Sequence, residues 1–168
     1  MPIISTDIVY RLSGGAGNSD PNASLGGVKS STAVGAGLHN LFDVVSSAEA
    51  STGDTEYRCV YVHNNHGTLT MQSAKIWISS NTPSTDTTVE IALGSSAVNA
   101  TEQTVANEST SPTGVTFSAP ANEGASLSIG DIPAGEHKAV WIKRIVNTGA
   151  AAYNNDTATL TVKCDTAA

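Results

Sequence analysis

Thr157-Ala158-Thr159-Leu160-Thr161-Val162-Lys163-Cys164 alternates without a break. Ala158, Leu160, Val162 and Cys164 fall on one side of an extended chain. Thr157, Thr159, Thr161 and Lys163 fall on the other, which is the period of two that a half-buried strand requires. The same period recurs upstream. Ile8, Tyr10 and Leu12 alternate with Val9 and Arg11; within Glu56 to Asn64, Tyr57, Cys59 and Tyr61 alternate with Val60 and Val62; Val89, Ile91 and Leu93 mark Thr87 to Leu93. Leu41 to Val45, Ala74 to Ile78, Val115 to Phe117, Leu127 to Ile129 and Lys138 to Val146 complete the strand-like runs. Turn chemistry such as Asn64-Asn65-His66-Gly67 and Asn81-Thr82-Pro83 separates them. Eight or nine short strands punctuated in this way predict an all-β fold, an antiparallel Greek-key sandwich with its first and last strands beside interior ones. Val44 to Ala50 predicts a turn of helix at most.

Composition agrees with strands. Charged residues make up 14% of the chain, against about 25% in ordinary domains, so the Glu and Lys that coat amphipathic helices are scarce. The 168 residues suit one domain. Residues 1–37 read as an N-terminal arm, a first strand and a Gly-rich loop, and residues 38–168 as the sandwich body. Within the loop, Ser13 to Gly37 carries the pairs Gly14-Gly15 and Gly26-Gly27. It reads either as a flexible surface loop or as an arm that orders against a partner.

The net charge is −7 with eight Lys and Arg, of which only Lys143-Arg144 are adjacent. Phosphate neutralisation needs a basic patch, so nucleic acid and anionic membranes are excluded as partners. No apolar run approaches the roughly 20 residues of a membrane span. Met1 to Asp7 lacks the basic and apolar regions of a secretion signal, which predicts a protein made and kept in a cytoplasm.

Catalytic chemistry is not expected. His63 and His66 bracket a turn, but zinc needs three or four converging ligands and the intervening asparagines are poor ones. Gly14-Gly15-Ala16-Gly17 lacks the lysine of a phosphate loop. No strand-to-helix elbow carries a nucleophile. Asn18-Ser19-Asp20-Pro21-Asn22 and Asn154-Asn155-Asp156 offer hard oxygen atoms for calcium, yet turn chemistry explains both. No cofactor and no metal are expected. Cys59 and Cys164 read as buried free thiols or as a disulfide between neighbouring strands. Trp77 and Trp141 read as core residues, although each strand also has an apolar residue pointing away from the core, where a tryptophan would anchor a partner. The candidate interface residues are Ile3, Ile4, Leu25, Val28, Val34, Trp77 and Trp141. Ile3 and Ile4 precede the first strand, and Leu25, Val28 and Val34 are the few apolar residues of the Gly-rich loop.

Two stretches give the order of elements a resemblance to immunoglobulin-like and related jelly-roll-like sandwiches. One is Tyr57-Arg58-Cys59-Val60-Tyr61-Val62-His63-Asn64 with Gly67-Thr68-Leu69, and the other is Ile132-Pro133-Ala134-Gly135-Glu136 leading into the Lys138 to Val146 strand. More narrowly, the chain is similar to small virion proteins of tailed bacteriophages. Tyr10-Arg11-Leu12-Ser13-Gly14-Gly15, Asp20 to Gly27, the Trp77 strand through Asn81-Thr82-Pro83, and Ile132 to Trp141 carry this resemblance. It implies a capsid decoration (cement) protein on the outer capsid surface of the virion. The partner would be the major capsid protein, and the decoration protein itself would be a homo-oligomer, with a trimer favoured. Tail, baseplate and head-closure components are neighbouring expectations. A glycan-binding module for host attachment is the rival, and its mark would be exposed aromatics beside Asp and Asn in a concave loop cluster.

Overall fold

Alternation and turn residues give the chain nine strands and one short helix among the described residues, 2–166; Met1, at the head of the expected arm, lies outside them. In this computed structural model the strands are β1 (Ile8–Leu12), β2 (Gly26–Gly27), β3 (Asp54–Asn64), β4 (Met71–Ser80), β5 (Thr87–Leu93), β6 (Glu102–Thr104), β7 (Leu127–Ile132), β8 (His137–Val146) and β9 (Thr159–Thr166), with α1 at Ser47–Thr52. All pairings are antiparallel. A four-stranded sheet runs β1-β3-β8-β5, a three-stranded sheet runs β7-β4-β9, and β2 pairs with β6. The first and last strands each pair with an interior strand, β3 and β4 respectively.

The two larger sheets enclose the main core. Val60, Val62, Val89, Ile91, Val140 and Ile142 from the first meet Met71, Ala74, Ile76, Ile78, Ile129 and Ile132 from the second. The four-stranded sheet is also buried on its other face, where Tyr57, Cys59, Tyr61, Ala92, Ala139 and Trp141 form a second cluster under Leu25, Val105, Val115 and Phe117. This explains why β3 and β8 are apolar on both faces: the sheet lies in the middle of three layers, and the third layer is built from loops.

Those loops include the Gly-rich segment, which corrects both readings of it. Ser13 to Gly37 is neither a free loop nor an arm awaiting a partner. The Leu12 N–H donates to the Thr32 carbonyl, the Ser30 N–H to Leu12, and the Val34 N–H to Tyr10, so the returning chain covers the outer edge of β1. Ser13, Ser24 and Ser30 are fully buried. Gly26 has φ near 95°, and a side chain there would meet the Gln103 carbonyl oxygen at 1.8 Å, so only glycine lets β2 lie this close to β6.

Two expected strands are absent. Leu41 to Val45 is irregular chain, and Val115 to Phe117 is a loop that covers the second core and leads into a single bridge between Ser118 and Ile91. Leu41 and Phe42 in the first, and Val115 and Phe117 in the second, pack as lids, and period-2 reasoning cannot tell a lid from a strand in so short a run. The helical turn expected at Val44 to Ala50 is α1, started by a capping box between Ser46 and Glu49.

Gly94, just after β5, is needed for a different reason. A methyl group there would lie 2.3 Å from Glu102 Oε2 and 2.7 Å from Ala139 Cβ. Burial pushes the Glu102 carboxyl up, but the Ser96 N–H and the Ser95 hydroxyl overcome this and hold its pKa at about 2. Gly94→Ala is therefore expected to cost about 2–3 kcal/mol through overpacking against this carboxylate. Urea unfolding checks it, with Gly67→Ala, which meets nothing within 4 Å, as the neutral control.

Candidate functional site

Past the apolar core positions of the four-stranded sheet, the loop carrying Phe42 and Asp43 packs over its inner face. There the inward positions of β3 and β8 are charged. Glu56 is 1% exposed and Arg58 is 0% exposed. Arg144 donates from Nε to Glu56 Oε2 at 2.5 Å and from Nη1 to the Asp43 carbonyl at 2.6 Å. Arg58 Nη2 lies 2.6 Å from Glu108 Oε2 and 3.0 Å from Asn22 Oδ1. The Phe42 ring takes both guanidinium groups, 5.3 Å from Arg58 and 5.0 Å from Arg144. Burial pushes the Glu56 carboxyl above the usual carboxylate range, and Arg144 followed by Arg58 pull it back. Two arginines thus clamp Phe42 and Asp43, fixing the loop that runs from Gly37 to Ser46.

A second loop is fixed opposite. The Ala151 N–H donates to Asp86 Oδ2, and Asp156 accepts from the Ser84 N–H and the Thr87 hydroxyl. The Gly149 and Ala150 N–H groups donate to the Ala50 carbonyl, joining the two walls through α1. Between the walls lies a cleft of about 1640 Å³ floored by Val60, Val89, Ile142 and Leu160. Leu38, Val44 and Tyr153 on its rim are 49%, 63% and 54% exposed. Among the described residues the only other exposed large apolar side chains are Ile4 and Val28.

Of the candidate interface residues only Val34 reaches this site, which Asn154, Asn155 and Asp156 also line. Ile3 packs against the main core, where no partner was expected within the chain, while Ile4 is exposed. Leu25 packs on the second core, Val28 is half exposed, and Val34 packs against the main core at the cleft wall. Trp141 is 0% exposed, so it serves the core and offers nothing to a partner. Trp77 lies half-buried on the outer face of the three-stranded sheet, opposite Thr161. Cys59 is buried and Cys164 half-buried, and both are free thiols. Sequence reasoning missed Leu38, Val44 and Tyr153. Val44 reads within a short strand and a helical turn, and Leu38 and Tyr153 are single apolar residues in stretches that carry no strand or helix period.

His63 and His66 do not converge. His66 Nδ1 accepts from the Thr68 and Leu69 N–H groups and shapes the turn. His63 instead stands in register with His137 across β3 and β8. Burial first, then the cations of Lys29 and Arg11, lower the His63 pKa to about 4; burial, Lys29 and His63 do the same for His137. Among the described residues no three His, Cys, Asp or Glu side chains are grouped to hold a metal ion. As the pH falls, the unfolded chain takes up protons near 6.5, before the folded one does. Stability is therefore full above about pH 6.5 and lost as pH falls toward 4. With both shifts discounted for solvent access and for their mutual coupling, the loss is about 2–3 kcal/mol. Urea midpoints at several pH values check it, and His63→Gln with His137→Gln should flatten the profile over that interval.

No protein-family model, curated protein or solved structure matches the chain. No helix among the described residues is long and apolar enough to cross a membrane. What the fold defines is an antiparallel all-β sandwich with a loop-built third layer and an apolar-rimmed cleft at one end.

Proposed function

We propose that the chain is a structural component of a tailed-bacteriophage virion, a capsid decoration protein that binds and stabilises the major capsid shell from outside. The observation that carries this reading is the rim of the cleft. Three of the five exposed large apolar side chains among the described residues gather there, on loops held in place by charged side chains. Apolar side chains concentrated at one place on a sparsely charged surface mark a contact with another protein. The phage context comes from the resemblance of the sequence phrases. Attachment through the cleft replaces attachment through the Gly-rich segment, since that segment is committed to its own fold.

The test mixes purified protein with capsids lacking it and counts bound copies per particle. Wild type is expected to bind in hundreds of copies, and Val44→Asp and Tyr153→Ala to lose most of that occupancy while keeping their circular dichroism. A handful of copies at one vertex would transfer the protein to the tail, baseplate or head-closure class. No binding at all would end the virion reading.

One observation favours a second reading. Tyr153 stands exposed beside Asn154, Asn155 and Asp156, and His39, Asn40 and Asp43 line the facing wall of the concave cleft. An exposed aromatic ring with amide and carboxylate groups around it suits a sugar. A glycan array probed with wild type and Tyr153→Ala separates this reading from the first: binding lost in the variant supports a host-glycan module, and a blank array removes it.

A further inference from the structure

The two larger sheets have four outer edges, and three are protected. Ser30 to Val34 covers β1. Ser118 bridges Ile91 along β5. On β7, Gly130 adopts φ near 86° and the register with β4 shifts beside it, which breaks the edge. The fourth edge, β9, runs eight residues, and among the described residues no backbone group outside β4 bonds to its backbone. Ile3 reaches its end only through the Thr166 hydroxyl.

Burial is incomplete along the same edge. Leu160, Val162 and Cys164 face the main core yet are only half-buried, while Ile76 and Ile78 opposite Val162 and Leu160 are almost fully buried. An added strand would cover Val162 and Cys164 and satisfy the open backbone groups beside them. An exposed regular edge of this kind is a template for pairing.

We infer that β9 pairs antiparallel with β9 of a second copy of this chain, about a two-fold axis at Cys164. Charge complementarity supports both the occupant and the register. Centred there, Lys163 of each copy stands opposite Asp165 of the other on the outer face, while a two-fold at Lys163 would set like charges against each other. The result is a continuous six-stranded sheet across two subunits and a dimer, in place of the trimer that the phage resemblance implies. It does not depend on what the cleft binds.

In this register the two Cys164 residues are directly opposite, with Cα atoms about 4.5–5.5 Å apart, which is within reach of a disulfide. The experiment uses the full chain. Sedimentation equilibrium should give a dimer at micromolar concentration, and copper–phenanthroline oxidation should yield a covalent dimer that Cys164→Ser abolishes and Cys59→Ser does not. Lys163→Asp and Asp165→Lys should each weaken the dimer on the order of tenfold, and the double swap should restore it. That rescue cannot come from the Lys163–Glu123 bridge within one chain, which the double swap leaves broken. A monomeric wild type, a dimer without the Cys164 cross-link, or a dimer indifferent to the charge swaps would each overturn the inference.

Discussion

Glu56→Ala is expected to lower the unfolding free energy by about 3–5 kcal/mol, the range seen when one partner of a buried ion pair is removed. The carboxylate is almost wholly out of water and lies between Arg144 and Arg58. Without it two guanidinium groups remain in a dry site, with only Asp43 and Glu108 at the periphery to balance them. The loss should exceed that of the triple replacement Glu56→Met, Arg58→Leu, Arg144→Met, because an apolar set of similar volume leaves no unpaired charge. Urea unfolding of the two variants gives the comparison. A second readout ties the cluster to the site. Arg144 and Phe42 hold the loop that presents Leu38 and Val44, so Glu56→Ala should also speed proteolysis within residues 37–46 under conditions where the sheets remain folded. An Ala variant as stable as wild type would mean that the arginines are satisfied without Glu56.

Trp141→Ala is expected to cost about 3–5 kcal/mol. The indole lies between small residues on both neighbouring strands, in register with Cys59 on β3 and Ala92 on β5, and the loop layer roofs it. That layer touches the sheet largely through this cluster, so the cavity would loosen Leu25, Val105 and Phe117 together. Trp141→Phe should cost much less. It keeps most of the buried area and removes an indole N–H that has no hydrogen-bond partner. Thermal or urea unfolding of the pair checks the order. Hydrogen exchange should show lost protection in β2 and β6 for the alanine variant and not for the phenylalanine one.

Much of the sandwich is legible along the chain. The strands Ile8–Leu12 and Thr87–Leu93 begin and end where alternation begins and ends, and β3, β4, β8 and β9 differ from their sequence bounds by a few residues. Asn64 shows where legibility stops. Sequence reading ends a strand there and begins a solvated turn, and it is the last residue of β3, but it is fully buried, donating to the Leu69 and Ile132 carbonyls and accepting from His66. A buried asparagine that ties two turns together looks in sequence like any other turn asparagine.

The cleft as an assembly was not legible, although the sequence singles out Val34 and Asn154 to Asp156 on its walls. Leu38, Val44 and Tyr153 are far apart in the chain, and only the closure of the β3, β8 and β5 pairings brings residues 38–46 against residues 149–158. By itself the sequence determined the class of fold, because strand alternation and turn residues act over two to four positions and are written locally. The tertiary structure alone decided that the central sheet is buried on both faces, that the Gly-rich segment belongs to the body, and which apolar residues stay outside. Those outcomes depend on which surfaces meet once the sheets stack. Burial is a property of contacts between distant segments, and a single residue's hydrophobicity is the same whether or not such a contact forms.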